Sequence, residues 1–67
     1  MMEYLRKTFD DEDKVTFALL LEDGRAKLSD LKFHLTLTQQ QILDALNQMR
    51  NEGLVKFEIS TQSYVLV

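Results

Sequence analysis

The 67-residue chain contains no cysteine and no proline, and it has only two glycines and one histidine. Without cysteine there can be no disulfide framework, no thiolate metal site and no cysteine nucleophile. A single histidine cannot provide a zinc site with the usual number of ligands. Hydrophobic residues make up 45% of the sequence, which is typical of a globular chain rather than a disordered one. We therefore expect one domain over residues 1–67, with no metal and no cofactor.

Long hydrophobic runs are also absent. The longest covers residues 17–21, whereas about 20 apolar residues are needed to span a bilayer. The N-terminus lacks the charged and then apolar pattern of a signal peptide. The sequence therefore predicts a cytoplasmic protein with no membrane association. An enzyme is not expected, because a domain of this size has little room for the cavity in which a nucleophile and its base would meet.

The third feature that is missing is an excess of basic residues. Residues 1–13 carry five acids and two bases, which gives the whole net charge of -3, and residues 14–67 carry six of each. A strong nucleic-acid binder is expected to show a basic surface. The charge balance therefore limits any prediction of nucleic-acid binding.

Apolar residues near the N-terminus indicate an additional short element. Met2, Leu5 and Phe9 are spaced three and four residues apart, as in an amphipathic helix, so residues 1–10 are predicted to form a short helix or an apolar arm. Terminal apolar residues of this kind either form a symmetric dimer interface or fold back on their own core, and both alternatives remain open.

A first core helix is predicted from Lys14 to about Glu22. The acids at 10–13 fit a capped helix start, where the dipole favours negative charge, although a metal site or an interaction tail would use the same residues. The helix is apolar on nearly all sides, so we expect it to be buried on more than one of them. Gly24 is predicted to end it.

Two further helices follow at short spacing. A small strand over residues 26–28 precedes a helix at about residues 30–35 with Ser29 as its cap. After a turn at residues 36 and 37, Thr38 opens a third helix that runs to about Asn51. Thr38 and Gln41 match the capping box, and Gly53 is predicted to end the helix.

Beyond Gly53 the apolar pattern changes to alternation. Val55, Phe57 and Ile59 would share one face of a strand, and residues 64–67 form a second β-rich run. The two runs predict a β-hairpin. Of the four phenylalanines, we expect most to be core residues, with Phe33, which lies between Lys32 and His34, as the exception.

The stretch from Leu28 to Val55 resembles the winged helix-turn-helix of bacterial and archaeal transcription regulators of the MarR and ArsR kind. Ser29-Asp30-Leu31 looks like the start of the supporting helix, and Leu37-Thr38 looks like the turn. The exit Arg50-Asn51-Glu52-Gly53-Leu54-Val55 is similar to the passage from the recognition helix into the wing. With the first helix and the hairpin, the resemblance covers residues 14–67. It implies an α+β winged-helix fold, with three helices and a C-terminal hairpin.

This resemblance also implies a function, namely a homodimeric transcriptional regulator that reads double-stranded DNA with its third helix. Glutamine can pair with adenine, and threonine can contact any base. The candidate DNA-binding residues are Thr38, Gln39, Gln40, Gln41, Asn47, Gln48, Lys32, Arg50 and Lys56. The third helix departs from the family pattern, because its outer face has Asp44 and no cation for phosphate. The alternative is a winged-helix module that binds protein as a subunit or adaptor and does not bind DNA.

Overall fold

The computed structural model describes residues 10–67, which form three helices and a three-stranded antiparallel sheet. The predicted α+β class is confirmed, and the predicted N-terminal helix or arm lies outside the described residues. No helix among those described is long and apolar enough to cross a membrane. The elements in chain order are α1 (Asp11–Leu21), β1 (Arg25–Ala26), α2 (Leu28–His34), α3 (Gln39–Asn51), β2 (Val55–Glu58) and β3 (Ser63–Leu66).

The first helix begins at Asp11, three residues before the predicted start. Asp10 is its N-cap, and the Asp10 carboxylate accepts a hydrogen bond of 2.9 Å from the amide of Asp13. The acidic run therefore caps the helix and occupies its first turn. Over residues 10–67 no three acidic or histidine side chains are grouped to hold a metal ion. The helix ends at Leu21, and Gly24, which was predicted to close it, has φ +85° and donates its amide to the Leu19 carbonyl at 2.7 Å.

The start of α2 differs from the prediction. The helix begins at Leu28, and its N-cap is Lys27 rather than Ser29. The reason is the carboxylate of Asp30, which accepts a hydrogen bond of 3.0 Å from the Lys27 amide and so fixes the first turn earlier in the chain. The small strand is displaced for the same reason, to Arg25–Ala26.

The third helix agrees with the prediction at both ends. The amide of Gln41 donates to the Thr38 hydroxyl at 3.1 Å, and the amide of Thr38 donates to the Gln41 side chain at 2.8 Å. Both halves of the capping box are therefore present. Gly53, at φ +77°, follows the helix, and the Leu54 amide then donates to the Met49 carbonyl at 2.9 Å.

The sheet has the order β1-β3-β2. The predicted hairpin is confirmed, with Val55 opposite Leu66 and Phe57 opposite Tyr64, and β1 pairs with the other edge of β3. Phe57 and Tyr64 lie with their ring centroids 4.9 Å apart. Ile59 follows the end of β2 and is 80% exposed, so the prediction that it shares a strand face with Val55 and Phe57 was wrong.

The core lies between α1, α2, α3 and one face of the sheet. Its completely buried large side chains are Leu19, Leu31, Ile42, Leu46, Met49 and Val15.

Only one side of α1 is buried, which corrects the sequence prediction. Val15, Ala18 and Leu19 are buried, whereas Phe17 is 65% exposed and Leu20 is 59% exposed. A helix of this composition would be covered on both sides in a larger domain, but the described residues pack against one side only. Phe17 on α1 is therefore not a core residue. Phe57 on β2 is also exposed, whereas Phe33 is exposed as predicted.

Candidate functional site

The outward face of α3 is the candidate site, because the helix follows a capped turn and presents a row of amide side chains. The nine residues predicted to contact DNA are all exposed, and they are Thr38, Gln39, Gln40, Gln41, Asn47, Gln48, Lys32, Arg50 and Lys56. Their exposure makes them accessible to DNA or to a protein partner. Their role in binding DNA stays a prediction.

Several of these polar groups already have partners within the chain. Thr38 and Gln41 bond each other's backbone in the capping box. The amide of Gln40 donates to the Asp44 carboxylate at 2.8 Å, and the amide of Gln48 donates to Glu52 at 3.3 Å. Both pairs are four residues apart, which places them on one stripe of the helix. The stripe therefore has carboxylates at Asp44 and Glu52, held by the neighbouring glutamines.

A shallow groove runs along this stripe and is bordered on its far side by the start of α1. The carboxylates of Asp10, Asp11, Glu12 and Asp44 line it, together with Gln41, Ala45 and Gln48. No lysine or arginine is among these lining residues. Four carboxylates within one groove produce a local negative potential, which repels phosphate and attracts cations.

The two carboxyl groups of Glu12 and Glu52 are close enough to interact directly. A hydrogen bond with the Glu52 side chain raises the pKa of Glu12 above its ordinary value, and partial desolvation and the charges of Glu52, Asp10 and Asp13 raise it further. Glu12 lies in the first turn of α1, and Glu52 is the C-cap residue of α3. The repulsion between the two carboxyl groups is therefore a consequence of the packing of α1 against α3.

The cations among the predicted DNA contacts are spread over different elements. Arg50 lines a small polar depression with Asn47 and Asn51 at the other edge of α3. Lys32 lies on α2 and Lys56 lies on β2, and neither lines this depression or the acidic groove. The structure therefore brings Arg50 and Asn47 together and does not gather the predicted cations into one patch.

Arg25, a further exposed cation, is engaged within the sheet. Its guanidinium donates to the Glu58 carboxylate, and the Thr61 hydroxyl donates to the same carboxylate at 3.0 Å. These two donors lower the pKa of Glu58 below its ordinary value. The pair connects β1 to the end of β2 across the central strand, and a phosphate would have to compete with Glu58 for the guanidinium.

The sequence did not predict that the acids at the start of α1 belong to the candidate site. Asp10, Asp11 and Glu12 were assigned to a helix start, which is correct, but nothing in their local sequence shows that they border the face of α3. That proximity depends on the packing of two helices about 30 residues apart. Only the charge imbalance of residues 1–13 pointed to these positions.

The comparisons with known proteins identify no relative, since no family model, no curated protein and no solved structure matches the chain.

Proposed function

We propose that the chain is a winged-helix module that binds a protein partner through the outward face of α3, and that the partner offers lysine and arginine side chains there. The fold assignment rests on the arrangement of α2, a short turn and a capped α3, followed by the β2-β3 hairpin. The proposal for the partner rests on one observation, the acidic groove along α3.

Electrostatics favours a basic protein surface over DNA as the partner. Affinity for DNA comes mostly from cations on phosphate groups, and a helix in the major groove lies between two phosphate backbones. Asp44 on the outward face and Asp11 and Glu12 at the border of the groove would meet those phosphates. A basic protein surface meets the same carboxylates favourably, and complementary charge sets both the rate and the specificity of association.

DNA binding is the second candidate, and it has a specific observation in its favour. Gln39 and Asn47 are exposed on α3 and Arg50 lies beside Asn47, so one edge of the helix is free of the acidic groove. A homodimer would double the cations available. In this case the chain would act as a transcriptional regulator whose binding is weak or depends on the dimer.

One substitution separates the two candidate functions, because it should change the affinity for a protein partner and the affinity for DNA in opposite directions. Asp44→Asn keeps the shape of the side chain and removes one carboxylate from the groove. If the partner is a basic protein surface, the substitution weakens binding several-fold, whereas DNA binding would become tighter. Asp23→Asn is the matched control, because Asp23 is exposed in the turn after α1 at φ 60°, a conformation that asparagine also adopts.

The measurement is fluorescence anisotropy with two labelled probes, a set of helical lysine- and arginine-rich peptides and a pool of random duplexes, each titrated at low and at rising salt. We expect peptide binding that weakens with salt and with Asp44→Asn and is unchanged by Asp23→Asn. A duplex that binds the unmodified chain and binds Asp44→Asn more tightly would contradict the proposal and support DNA binding.

A further inference from the structure

β2 is an edge strand. In the order β1-β3-β2, one side of β2 has no neighbouring strand within the part of the chain that the structure describes. The Val67 amide donates to the Leu54 carbonyl, and hydrogen-bonded pairs alternate along an antiparallel ladder, so the N–H and C=O groups of Val55 and Phe57 point away from β3. Over residues 10–67, no backbone hydrogen bond outside the paired strands involves either residue. The open side of β2 can therefore pair with a further strand.

The two faces of β2 restrict the strand that can pair with it. On one face, Val55 is buried and Phe57 is 36% exposed beside Tyr64. The opposite face carries Lys56 and Glu58, which are two residues apart in the strand. A lysine on an edge strand normally discourages further pairing, and a directly opposite acid removes this effect. A matching strand therefore has an apolar residue opposite Phe57 and an acid opposite Lys56.

We propose that this strand is β2 of a second copy of the chain, which pairs antiparallel about a two-fold axis at Phe57. The axis places Phe57 opposite Phe57 of the second copy, and it places Lys56 opposite Glu58 on both sides of the centre. The two Lys56–Glu58 pairs share no backbone hydrogen bonds with each other, so their Cα atoms lie only about 4.5 Å apart and their side chains are close.

Other registers of the same pairing are less favourable. A centre at Lys56 would place one lysine directly opposite another, which is repulsive. A centre midway between two residues would place the apolar face of one strand beside the charged face of the other, because side chains alternate along each strand. The charges and the apolar pattern of β2 therefore select the register centred on Phe57.

The Glu58 carboxylate can take part in this pairing while it keeps its contacts within the chain. Arg25 and Thr61 both donate to its Oε1 atom, which leaves Oε2 for the lysine of the second copy. The acidic groove along α3 is lined by no residue of β2. The pairing therefore does not rest on the proposed function, and each can be tested without the other.

Sedimentation equilibrium on the full chain tests the proposal. A strand of four residues gives a smaller contact than the about 800 Å² per partner of a stable interface, so the dimer should be weak. The mass should rise from 7.9 kDa towards twice that value as the concentration approaches about 1 mM. Lys56→Glu places acid opposite acid and should weaken the dimer at least about tenfold. Lys14→Glu, the same change at an exposed lysine of α1, is the matched control and should weaken it far less.

A mixture of two charge variants tests the register itself. Glu58→Lys alone places base opposite base and should also weaken the dimer, whereas an equimolar mixture with Lys56→Glu should form a heterodimer, because both pairs are attractive again. Circular dichroism checks that Glu58→Lys folds without its contact to Arg25. A second measurement does not depend on this variant. In a chain without other cysteines, Phe57→Cys should form a disulfide between two copies under mild oxidation, and Ser60→Cys, in the exposed turn, should form far less.

Three results would overturn the proposal. The first is a monomer at every concentration, and the second is a dimer that Lys56→Glu and Lys14→Glu weaken equally or not at all. The third is equal cross-linking of Phe57→Cys and Ser60→Cys, which would show that the open side of β2 is not the contact between copies.

Discussion

Replacing Thr38 with alanine separates a structural role for this residue from a role in binding. The hydroxyl accepts the Gln41 amide at 3.1 Å, and alanine leaves that amide at the start of α3 without its acceptor. The loss of such a cap costs about 1 kcal/mol. A domain of this size has a stability of roughly 3–10 kcal/mol, so the change is a measurable fraction of the total.

The assay is urea unfolding, supported by thermal unfolding, where the same loss lowers the Tm by about 4–8 °C. Thr38→Ser retains the hydroxyl and should restore most of the stability. Gln39→Ala, one residue further along and exposed, should change little. If alanine and serine destabilise the chain equally, or if neither does, the capping box does not stabilise α3 and the reasoning about its start is wrong.

Two other predictions concern the packing of α1. Leu19→Ala should lower the free energy of unfolding by about 2–5 kcal/mol, because Leu19 is completely buried. Leu21→Ala should lower it far less, because Leu21 is 55% exposed. Equal losses in urea unfolding would contradict the assignment of the buried side of α1. Glu12→Gln should raise the urea midpoint at pH 7, because the pKa of Glu12 is raised in the folded chain beside Glu52. When the pKa of an acid is higher in the folded chain than in the unfolded chain, its ionisation destabilises the fold. This destabilisation is absent at a pH below the ordinary pKa and appears as the pH rises through the pKa of the folded chain. The gain from Glu12→Gln should therefore disappear below pH 4.5, and a gain that persists there would refute the carboxyl repulsion.

Local signals in the sequence predicted the bounds of the helices and strands better than they predicted which side chains are buried or which charges lie nearby. The capping residues at Thr38 and Gln41 and the glycines at 24 and 53 placed helix ends correctly, because each acts on backbone groups within a few residues. Ser29 was a wrong choice of cap, since serine and the carboxylate of Asp30 compete for neighbouring amides and composition does not show which one wins.

Burial and electrostatic environment were harder to predict, because they depend on which elements meet. The apolar composition of α1 predicted burial on several sides, and Phe17 and Leu20 are exposed because no described element packs on their side. The acidic border of α3 was missed for the same reason. Exposure of the amide residues on α3 was predicted correctly, because the helical period alone separates Gln40 and Asn47 from Ile42 and Leu46.

The strand order has a consequence for the assembly of the sheet. β1 and β2 pair only with β3, and β3 comes after both of them in the chain. During synthesis, an interruption between Glu58 and Ser63 would leave β1 and β2 with no partner, although α1, α2 and α3 would be complete. The Leu66 amide also donates to the Gly24 carbonyl and the Val67 amide to the Leu54 carbonyl, at 2.8 and 2.9 Å. Leu66 and Val67 thus bind the chain just before β1 and just before β2, and the sheet can form only after β3 has been synthesised.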